Sequence, residues 1–303
     1  MIATGPGGPP PDFGAVREAA WPLIALALAE DLGERGDVTS LATIVPDVAV
    51  AAHLVARAEG VLAGLDVART VLMAVDGAAG FSAEARDGDR LSPGMIVATV
   101  TGSARSLLSA ERTMLNFVQR LSGVASQVAR YVAAIEGTGV RVLDTRKTTP
   151  GWRVLEKYAV AIGGGVNHRM GLFDLILIKD NHAMAAGGVG PAVAAALASR
   201  PEGVRIEVEV RTLADIDAAL AYPVDGLLFD NMNPASIDAA VARVARLVAG
   251  RPASRPFIEV SGGITLATIR NHARPGVDFI SVGAITHSAP ALDLALDIVE
   301  DQG

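Results

Sequence analysis

The hydrophobic positions of the first hundred residues change period along the chain. Residues 15–32 place apolar side chains at helical spacing, which predicts an amphipathic first helix. From about 48 to 101, the short alternating stretches Ala49–Ala56 and Met95–Val100 are separated by Gly, Pro and Asp, with a helical pattern near Leu65–Val75. This mixture predicts a small α+β domain built around a partly open sheet.

A long helix, a loop and a last helix complete the elements predicted outside the repeated strand–helix units. A long helical stretch runs roughly from Ala104 to Glu136, and the pair Ser122-Gly123 predicts a break within it. Residues 30–40 (EDLGERGDVTS) have the composition of a turn-rich loop. A last helix is expected over Ala291–Asp301, returning to the N-terminal domain.

The second half of the chain repeats one unit, a short apolar run followed by a helical stretch. Consecutive strand–helix units imply a parallel sheet, and right-handed crossovers curl such a sheet into a barrel. A complete barrel of this kind has eight units. Six are found here, so we predict an incomplete or irregular barrel. The runs are Val140–Leu143, Leu175–Ile178, Val204–Val208, Gly226–Phe229, Phe257–Val260 and Phe279–Val282, and the helical stretches are Val189–Ala198, Leu213–Leu220, Ser236–Val248 and Leu266–Ala273.

Composition removes several classes of protein. The 303 residues carry a net charge of -7, which argues against nonspecific nucleic-acid binding because that binding depends on a basic surface. Cysteine is absent, so thiolate metal sites and cysteine nucleophiles are excluded. No apolar run reaches the roughly 18–20 residues that span a bilayer, and no signal peptide is recognisable. A soluble cytoplasmic protein without a membrane partner is expected.

Lysine is scarce among the basic residues. Of the 26 Lys and Arg residues, only Lys147, Lys157 and Lys179 are lysines. An ammonium and a guanidinium are not interchangeable, so the remaining lysines point to specific roles. For Lys157 a place on a solvated helix face is an equally good interpretation, whereas Lys147 and Lys179 follow predicted strands.

Polar or glycine residues follow all six apolar runs. In barrels of this type the active site lies where the carboxyl ends of the strands converge, so these residues are predicted to share one mouth. In chain order they are Asp144-Thr145-Arg146-Lys147, Lys179-Asp180-Asn181-His182, Glu207 with Glu209, Asp230-Asn231, Glu259 with Ser261-Gly262-Gly263, and Ser281 with Gly283.

Glycine-rich ends on the last two strands indicate a phosphate site. Ser261-Gly262-Gly263 and Val282-Gly283-Ala284 let backbone N–H groups approach a phosphate closely, and a following helix would add its positive end. Turn formation alone is the competing explanation for either pair. Two such pairs on the final two strands favour a bound phosphate group.

The stretch 141–182 concentrates positive charge in an acidic chain. It holds seven Lys or Arg residues and two of the five His, against four acids. Such a cluster in a barrel mouth would attract a small polyanion, although a network of ion pairs is the simpler alternative. Opposite it, Glu209 and Asp230 are candidates to bind ribose hydroxyls or a magnesium ion, to stabilise a cationic sugar, or only to balance the arginines.

Long segments of the chain resemble quinolinate phosphoribosyltransferases, in the same order, from about residue 25 to 300. The central segment over residues 144–182 is long enough to be highly specific. The matching segments are EDLGERGDVTS (30–40), ERTMLNFVQRLSG (111–123), DTRKTTPGWRVLEKYAVAIGGGVNHRMGLFDLILIKDNH (144–182), EVEV (207–210), FDN (229–231), EVSGGI (259–264) and SVGAITHS (281–288).

The resemblance implies an α/β fold of two domains. After a tail over residues 1–14, an N-terminal α/β sandwich domain would occupy 15–114 and include a C-terminal helix over 289–303. An irregular, open α/β barrel of about six parallel strand–helix units would occupy 115–288. Subunits of the family pair so that each active site borrows residues from its neighbour, which implies a homodimer with shared sites or a larger assembly.

The resemblance also implies a role for each site residue. Arg112 would be the borrowed arginine. The cationic pocket for the quinolinate carboxylates and the pyrophosphate would be lined by Thr145, Arg146, Lys147, His168, Arg169 and Lys179. Glu209 and Asp230 would face the ribose and its magnesium ion (Mg2+), and Lys147, Lys179, Glu209 and Asp230 would be the catalytic group. The 5-phosphate would be held by Ser261, Gly262, Gly263, Val282, Gly283 and Ala284.

The implied reaction belongs to de novo NAD biosynthesis. Quinolinate and phosphoribosyl pyrophosphate would give nicotinate mononucleotide, pyrophosphate and carbon dioxide. The alternatives are a molybdenum-associated relative with another acceptor, a Schiff-base aldolase with Lys179 as nucleophile, and a noncatalytic sensor of phosphorylated metabolites. Trp152, where a smaller aliphatic residue is expected, and GRPASRP (250–256), which resembles a short insertion, depart from the family pattern.

Overall fold

A computed structural model describes residues 6–249 and 255–299, which form two compact units. The first unit comprises residues 6–9, Arg130–Lys147 and Gly165–Ala284, and the second comprises 10–129, Thr148–Gly164 and 285–299. The predicted domain boundaries at 14/15, 114/115 and 288/289 stay a prediction. The insertion over 250–256 falls mostly outside the described residues.

An antiparallel sheet forms the centre of the second unit. Its strand order is β12-β1-β5-β3, and β2 and β4 form a separate two-stranded ribbon. The strands are β1 (Ala49–Ala56), β2 (Gly60–Val61), β3 (Gly80–Ala83), β4 (Arg90–Leu91), β5 (Ile96–Ser103) and β12 (Leu294–Ile298). The helices that begin in this unit are α1 (Phe13–Leu32), α2 (Val38–Thr43), α3 (Leu65–Val75), α4 (Ala104–Ala134) and α5 (Arg153–Ile162).

The helix predicted over Ala291–Asp301 and 289–303 is wrong for its described part. Residues 294–298 form strand β12, which pairs antiparallel with β1 and sets Leu54 opposite Leu296. The reason is the period of the sequence LDLALDI (292–298), in which apolar and polar or small residues alternate as in a strand. Residues 300–303 lie outside the described part of the chain.

Two other predictions in this unit need correction. Helix α4 runs unbroken through Ser122-Gly123, because Gly123 serves close packing: a Cβ there would collide with the carbonyl oxygen of Pro290. The loop predicted over 30–40 contains the start of helix α2. Asp37 caps this helix by accepting hydrogen bonds from the backbone N–H groups of Thr39 at 3.1 Å and Ser40 at 3.0 Å.

A six-stranded parallel sheet forms the first unit, as predicted. Its strand order is β6-β11-β10-β9-β8-β7, so β6 and β7 are the outer strands and the barrel is open between them in the described chain. Every predicted apolar run forms one of these strands. They are β6 (Arg141–Leu143), β7 (Leu175–Ile178), β8 (Arg205–Val210), β9 (Gly226–Asp230), β10 (Phe257–Ser261) and β11 (Phe279–Ser281).

The helices that begin in the first unit follow its parallel strands; all but α11, which lies after the last of these strands and continues into the second unit, return the chain between them. The last two are single turns, so the helix predicted over Leu266–Ala273 is shorter than expected. They are α6 (Asp180–Ala185), α7 (Val189–Ser199), α8 (Leu213–Leu220), α9 (Pro234–Leu247), α10 (Ile269–His272) and α11 (Ala284–His287). Within residues 6–249 and 255–299, no helix has the length and apolarity needed to cross a bilayer.

Candidate active site

A cavity of about 400 Å³ opens in the first unit, where residues at and beyond the carboxyl ends of the parallel strands meet. This is the edge at which barrels of this kind place their active sites. Its lining comprises Thr145, Arg146, Lys147, His168, Arg169, Leu177, Lys179, Glu209, Leu228, Asp230, Asn231, Glu259, Ser261, Gly262, Gly263 and Ser281.

Most of the predicted site residues line this cavity together. The exceptions are Arg112, which belongs to the second unit, and the trio Val282, Gly283 and Ala284. Val282 is buried just beyond β11, where its backbone N–H donates to the carbonyl of Leu143 at 3.0 Å. The trio therefore follows a lining residue, Ser281, without entering the lining.

Positive charge on one side of the cavity comes from segments that follow β6 and β7 and from the stretch before β7. Arg146 and Lys147 follow β6, and Lys179 caps helix α6 directly after β7. Arg169 is almost fully buried, and its Nη1 donates to the carbonyl of Leu175 at 3.0 Å. Burial and then the neighbouring Arg146 lower the pKa of Arg169, which shows that the two guanidiniums repel each other across the site. A bound anion would relieve that repulsion.

His168 lies at the edge of the cavity between two buried carboxylates. Its Nε2 is 3.1 Å from Oε2 of Glu207 and 3.3 Å from Oε2 of Glu259. The Ser281 hydroxyl donates a hydrogen bond to Oε1 of Glu259. Glu207 and Glu259 lie on β8 and β10, the strands on either side of β9, where they pair with Gly226 and Leu228 respectively. Because Gly226 and Leu228 are two residues apart, both acids point to the same face of the sheet.

Opposing contacts act on the His168 ring. Burial favours the neutral ring, as does the backbone N–H of Arg169, which donates to Nδ1 at 2.6 Å, whereas the two carboxylates favour the charged ring. The carboxylates prevail and raise the pKa of His168 to about 10. Burial, and then Glu259, raise the pKa of Glu207 to about 7. The cluster thus holds Nε2 of the ring between two acids that are close together.

The backbone that carries His168 is fixed by a buried aspartate. Asp144, directly after β6, accepts hydrogen bonds from the backbone N–H of His168 at 2.8 Å and from Nδ2 of Asn167 at 2.7 Å. A further backbone hydrogen bond joins the N–H of Asp144 to the carbonyl of Val166 at 3.2 Å. Asp144 therefore aligns residues 166–168 beside β6 and supports the site without lining it.

Three carboxylates face the opposite side of the cavity or its rim and share one arginine. Arg211 lies 3.0 Å from Asp180, 3.3 Å from Glu209 and 2.9 Å from Asp230. Burial, then Asp230 and Asp180, raise the pKa of Glu209, so the acids repel one another more than Arg211 compensates. Oxygen ligands grouped around a positive charge are the donor set that magnesium prefers, and Glu209 and Asp230 fit such an ion.

The turn after β10 matches the geometry expected of a phosphate loop. Gly262 and Gly263 have φ angles of 102° and 61°, and a Cβ on Gly262 would collide with the Asn231 side chain. Asn231 itself has a φ of 55°, and its backbone N–H donates to the Ser261 carbonyl at 2.9 Å. The expected contribution of following helices is small, because α10 and α11 are single turns. Backbone N–H groups remain the candidate donors.

Arg112 lines a different cavity, of about 360 Å³, in the second unit, with Glu30 and Asp31 of α1. Trp152, the residue that departs from the family pattern, lines it too and stacks on Phe117 with ring centroids 4.7 Å apart. The apolar residues that follow Arg112 on α4 are Met114, Leu115, Phe117 and Val118, and they do not form a face for another chain. All four are buried in the core of their own chain, because α4 is covered on that side.

Sequence reasoning placed Glu207, Asn231, Glu259 and Ser281 at the strand ends but gave them no individual role. It missed Leu177 and Leu228 in the lining and Arg211 beside the acids. The EVEV pattern contained the signal for Glu207. Residues two apart on a strand share a face, so Glu207 must point to the same side as Glu209.

Two models of known protein domains together match most of the described chain. The model of the quinolinate phosphoribosyl transferase N-terminal domain matches residues 37–122, and that of the C-terminal domain matches residues 124–297. A nicotinate-nucleotide pyrophosphorylase [carboxylating] of Mycobacterium leprae is 45% identical over 285 residues, covering 93% of this chain and 98% of the relative. Its chloroplastic counterpart in Arabidopsis thaliana is 40% identical and covers 91% and 82%.

Solved structures agree with these sequence matches. NadC from Streptococcus pyogenes is 41% identical, with a TM-score of 0.85, and the match covers 92% of this chain and 96% of that one. The nicotinate-nucleotide pyrophosphorylase from Francisella tularensis is 39% identical, with a TM-score of 0.86, and covers 93% and 96%. The alternatives of another acceptor, an aldolase or a noncatalytic sensor are not favoured by any of these matches.

Proposed function

The chain belongs to the quinolinate phosphoribosyltransferase family, and we propose that the cavity at the strand ends of its first unit is the active site. The protein is a pentosyltransferase of NAD biosynthesis, which converts quinolinate and phosphoribosyl pyrophosphate into nicotinate mononucleotide, pyrophosphate and carbon dioxide. One observation carries the assignment of the site: a single cavity of about 400 Å³ is lined by cationic side chains together with Glu209 and Asp230.

The cationic side chains bind and align two polyanions that would otherwise repel each other. Arg146, Lys147, Arg169 and Lys179 contribute fixed positive charge around one cavity. They neutralise the two carboxylates of quinolinate and the departing pyrophosphate, which brings the pyridine nitrogen close to the anomeric carbon. The mutual repulsion of Arg146 and Arg169 is relieved when these anions bind.

Glu209 and Asp230 act on the sugar side of the reaction. As pyrophosphate leaves, positive charge develops on the ribose, and carboxylates stabilise that charge. We propose that the same pair would hold a magnesium ion together with the phosphoribosyl substrate; when bound, such an ion would supply positive charge for the departing pyrophosphate. Arg211 then exchanges its contacts with the acids for contacts with solvent or substrate.

The glycine turn after β10 holds the 5-phosphate in this proposal. Gly262 and Gly263 leave their backbone N–H groups accessible because no side chain covers them. Val282, Gly283 and Ala284, which follow β11, would supply the second half of the phosphate site.

Decarboxylation follows from the first step without a further catalytic base. Attack of the ring nitrogen on the anomeric carbon expels pyrophosphate and leaves the nitrogen positively charged. The bond to the adjacent carboxylate then breaks, carbon dioxide departs, and the electron pair stays on the ring carbon beside the cationic nitrogen. A proton from solvent completes nicotinate mononucleotide.

A homodimer with shared active sites is the second part of the proposal. Arg112 is exposed and lines a cavity of the second unit rather than the one proposed as the active site. Helices α1 and α2 of the same unit expose large apolar side chains, including Trp21, Leu26 and Leu41. An exposed apolar surface of this kind is suited to pairing with a second copy of the chain. A cytoplasmic location stays a prediction.

Product analysis tests the reaction and its metal requirement together. Purified protein with quinolinate, phosphoribosyl pyrophosphate and magnesium should yield nicotinate mononucleotide, pyrophosphate and carbon dioxide in equal amounts. Chelation of magnesium should stop turnover, and adding magnesium back should restore it. If nicotinate is used better than quinolinate, the dicarboxylate pocket is assigned wrongly. Turnover that survives chelation would remove the magnesium part of the proposal.

A further inference from the structure

Two buried glutamates beneath the cavity call for a functional explanation. Glu207 is 0% exposed and Glu259 is 1% exposed. Burying a carboxylate is unfavourable unless other groups compensate its charge and satisfy its oxygens. Among the described residues, both oxygens of Glu207 and Oε2 of Glu259 lack a well-aligned hydrogen bond. Stability alone therefore gives no reason for these two acids at this place.

The basic side chain in contact with both glutamates is His168. Its Nε2 lies 3.1 Å from Glu207 and 3.3 Å from Glu259, which makes the imidazole the counter-ion of the pair. Glu259, His168 and Ser281 line the cavity, whereas Glu207 lies behind it. The sequence neighbour Arg169 lines the cavity as well, so any shift of residue 168 also moves a buried guanidinium.

We propose that Glu207 and Glu259 are positioning residues that hold the imidazole of His168 at the edge of the quinolinate pocket. Both acids contact Nε2 of the ring. The carboxylate of Asp144 holds the backbone of the same residue by accepting a hydrogen bond from the His168 N–H at 2.8 Å. Ser281 orients Glu259 through its hydroxyl hydrogen bond. The ring is thereby held in one rotamer beside Arg169, whose backbone N–H donates to its Nδ1.

A metal ion is the alternative occupant of this cluster. The ligand atoms of His168, Glu207 and Glu259 lie within 4.8 Å of one another, and such a set can bind a divalent cation. The geometry favours the ion-pair interpretation, because the imidazole nitrogen already contacts both carboxylates directly. The two interpretations differ in an observable: only the metal site predicts a stoichiometric metal in the purified protein.

The inference rests on the proposed quinolinate site, and its test separates binding from turnover. Benzene-1,2-dicarboxylate carries both carboxylates but has no ring nitrogen, so it can bind and cannot react. Calorimetric affinity for this probe should fall about tenfold in Glu207→Gln and in Glu259→Gln, roughly 1.4 kcal/mol. The KM for phosphoribosyl pyrophosphate should change less than about twofold. Melting temperatures should stay level or rise, since each variant removes a buried charge.

A double-mutant cycle distinguishes positioning from a general packing effect. In a His168→Asn background, Glu207→Gln should cause no further loss of probe affinity, because the ring that Glu207 holds is gone. Glu156→Gln is the matched control: it removes another fully buried glutamate, which pairs with Arg120 at 2.6 Å in the second unit. This control should leave probe affinity unchanged whatever it does to the melting temperature.

Three results would overturn the inference. They are unchanged probe affinity in both glutamine variants, additive losses with His168→Asn, and a stoichiometric metal that is lost in Glu207→Gln. The proposed function fails by a different result, the absence of quinolinate-dependent pyrophosphate release by the unaltered protein. Probe binding and the cycle remain measurable in that case, so the two failures are distinguishable.

Discussion

Among single residues, the three lysines differ sharply in their surroundings. Lys147 and Lys179 line the proposed active site, and both are exposed to the solvent of the cavity. Lys157 is fully buried in the second unit, so the interpretation of a solvated helix face is wrong for it. The three lysines therefore occupy two kinds of environment: two line the cavity and one is fully buried.

Replacing the two cavity lysines by arginine should impair catalysis. A guanidinium is larger and planar, so it cannot place a single charge where the ammonium does. Lys147→Arg and Lys179→Arg should each lower kcat/KM at least about tenfold, roughly 1.4 kcal/mol of transition-state binding. Steady-state kinetics with quinolinate as the varied substrate measures this. Near-normal values for both variants would show that only charge matters at these positions.

Lys157→Arg is the matched contrast, because the same change occurs inside a packed core. On a solvated helix face the substitution would be nearly silent, but Lys157 is buried, so a loss of stability is expected. Overpacking should lower the free energy of unfolding by about 1–3 kcal/mol and the melting temperature by several degrees. A melting temperature equal to that of the unaltered protein would contradict this, and thermal denaturation measures it.

Among the elements, the turn after β10 depends most on its residue type. Gly262 combines a φ of 102° with a close approach to the Asn231 side chain, and Gly263 continues the turn at 61°. Any side chain at 262 must therefore displace Asn231, whose neighbour Asp230 is a proposed ligand for the ribose and magnesium. The turn links the phosphate site to the carboxylate site.

Gly262→Ala should raise the KM for phosphoribosyl pyrophosphate about tenfold, because the phosphate loop and Asn231 cannot both keep their positions. Gly88→Ala is the control: Gly88 has a φ of 97°, but a Cβ there would meet nothing within 4 Å. It reproduces the backbone strain of about 1–2 kcal/mol without the collision. Equal KM values for the two variants would show that strain alone, and not the contact with Asn231, explains any effect.

At the scale of the whole molecule, the position of Arg112 bears on the assembly. This arginine lies in the second unit, whereas the other predicted contacts to substrate belong to the first. The apolar residues that follow it on α4 are used in the chain's own core, so they cannot form an interface. The exposed Trp21 and Leu26 of α1 are better candidates for the face that meets a second copy.

Mixing two inactive variants tests whether active sites are shared. Arg112→Ala and Lys179→Ala should each be nearly inactive alone. In a mixed dimer with shared sites, one site carries both lesions and the other carries neither, so activity should recover towards half per dimer. If Arg112 serves its own subunit, every site keeps one lesion. Mixing after verified subunit exchange would then restore nothing, and the shared-site proposal would be wrong.

The sequence by itself determined the order and type of most elements and the candidate charge groups. Apolar runs of four or five residues predicted all six parallel strands, because buried strands need continuous apolar side chains. The motif over 144–182 identified the family, and residues after each strand predicted most of the cavity lining. These features follow from local composition and residue spacing, and both can be read directly from the sequence.

Only the tertiary structure decided which residues contact one another across the sheet. Glu207, Glu259 and His168 lie on three separate segments, and the two acids, on the strands either side of β9, both contact one ring. The burial of Lys157, the continuity of α4 past Gly123 and the pairing of β12 with β1 likewise depend on neighbours distant in sequence. The spacing of residues along the chain shows which side of a helix or strand is apolar. Which other element packs against that side depends on the complete tertiary structure.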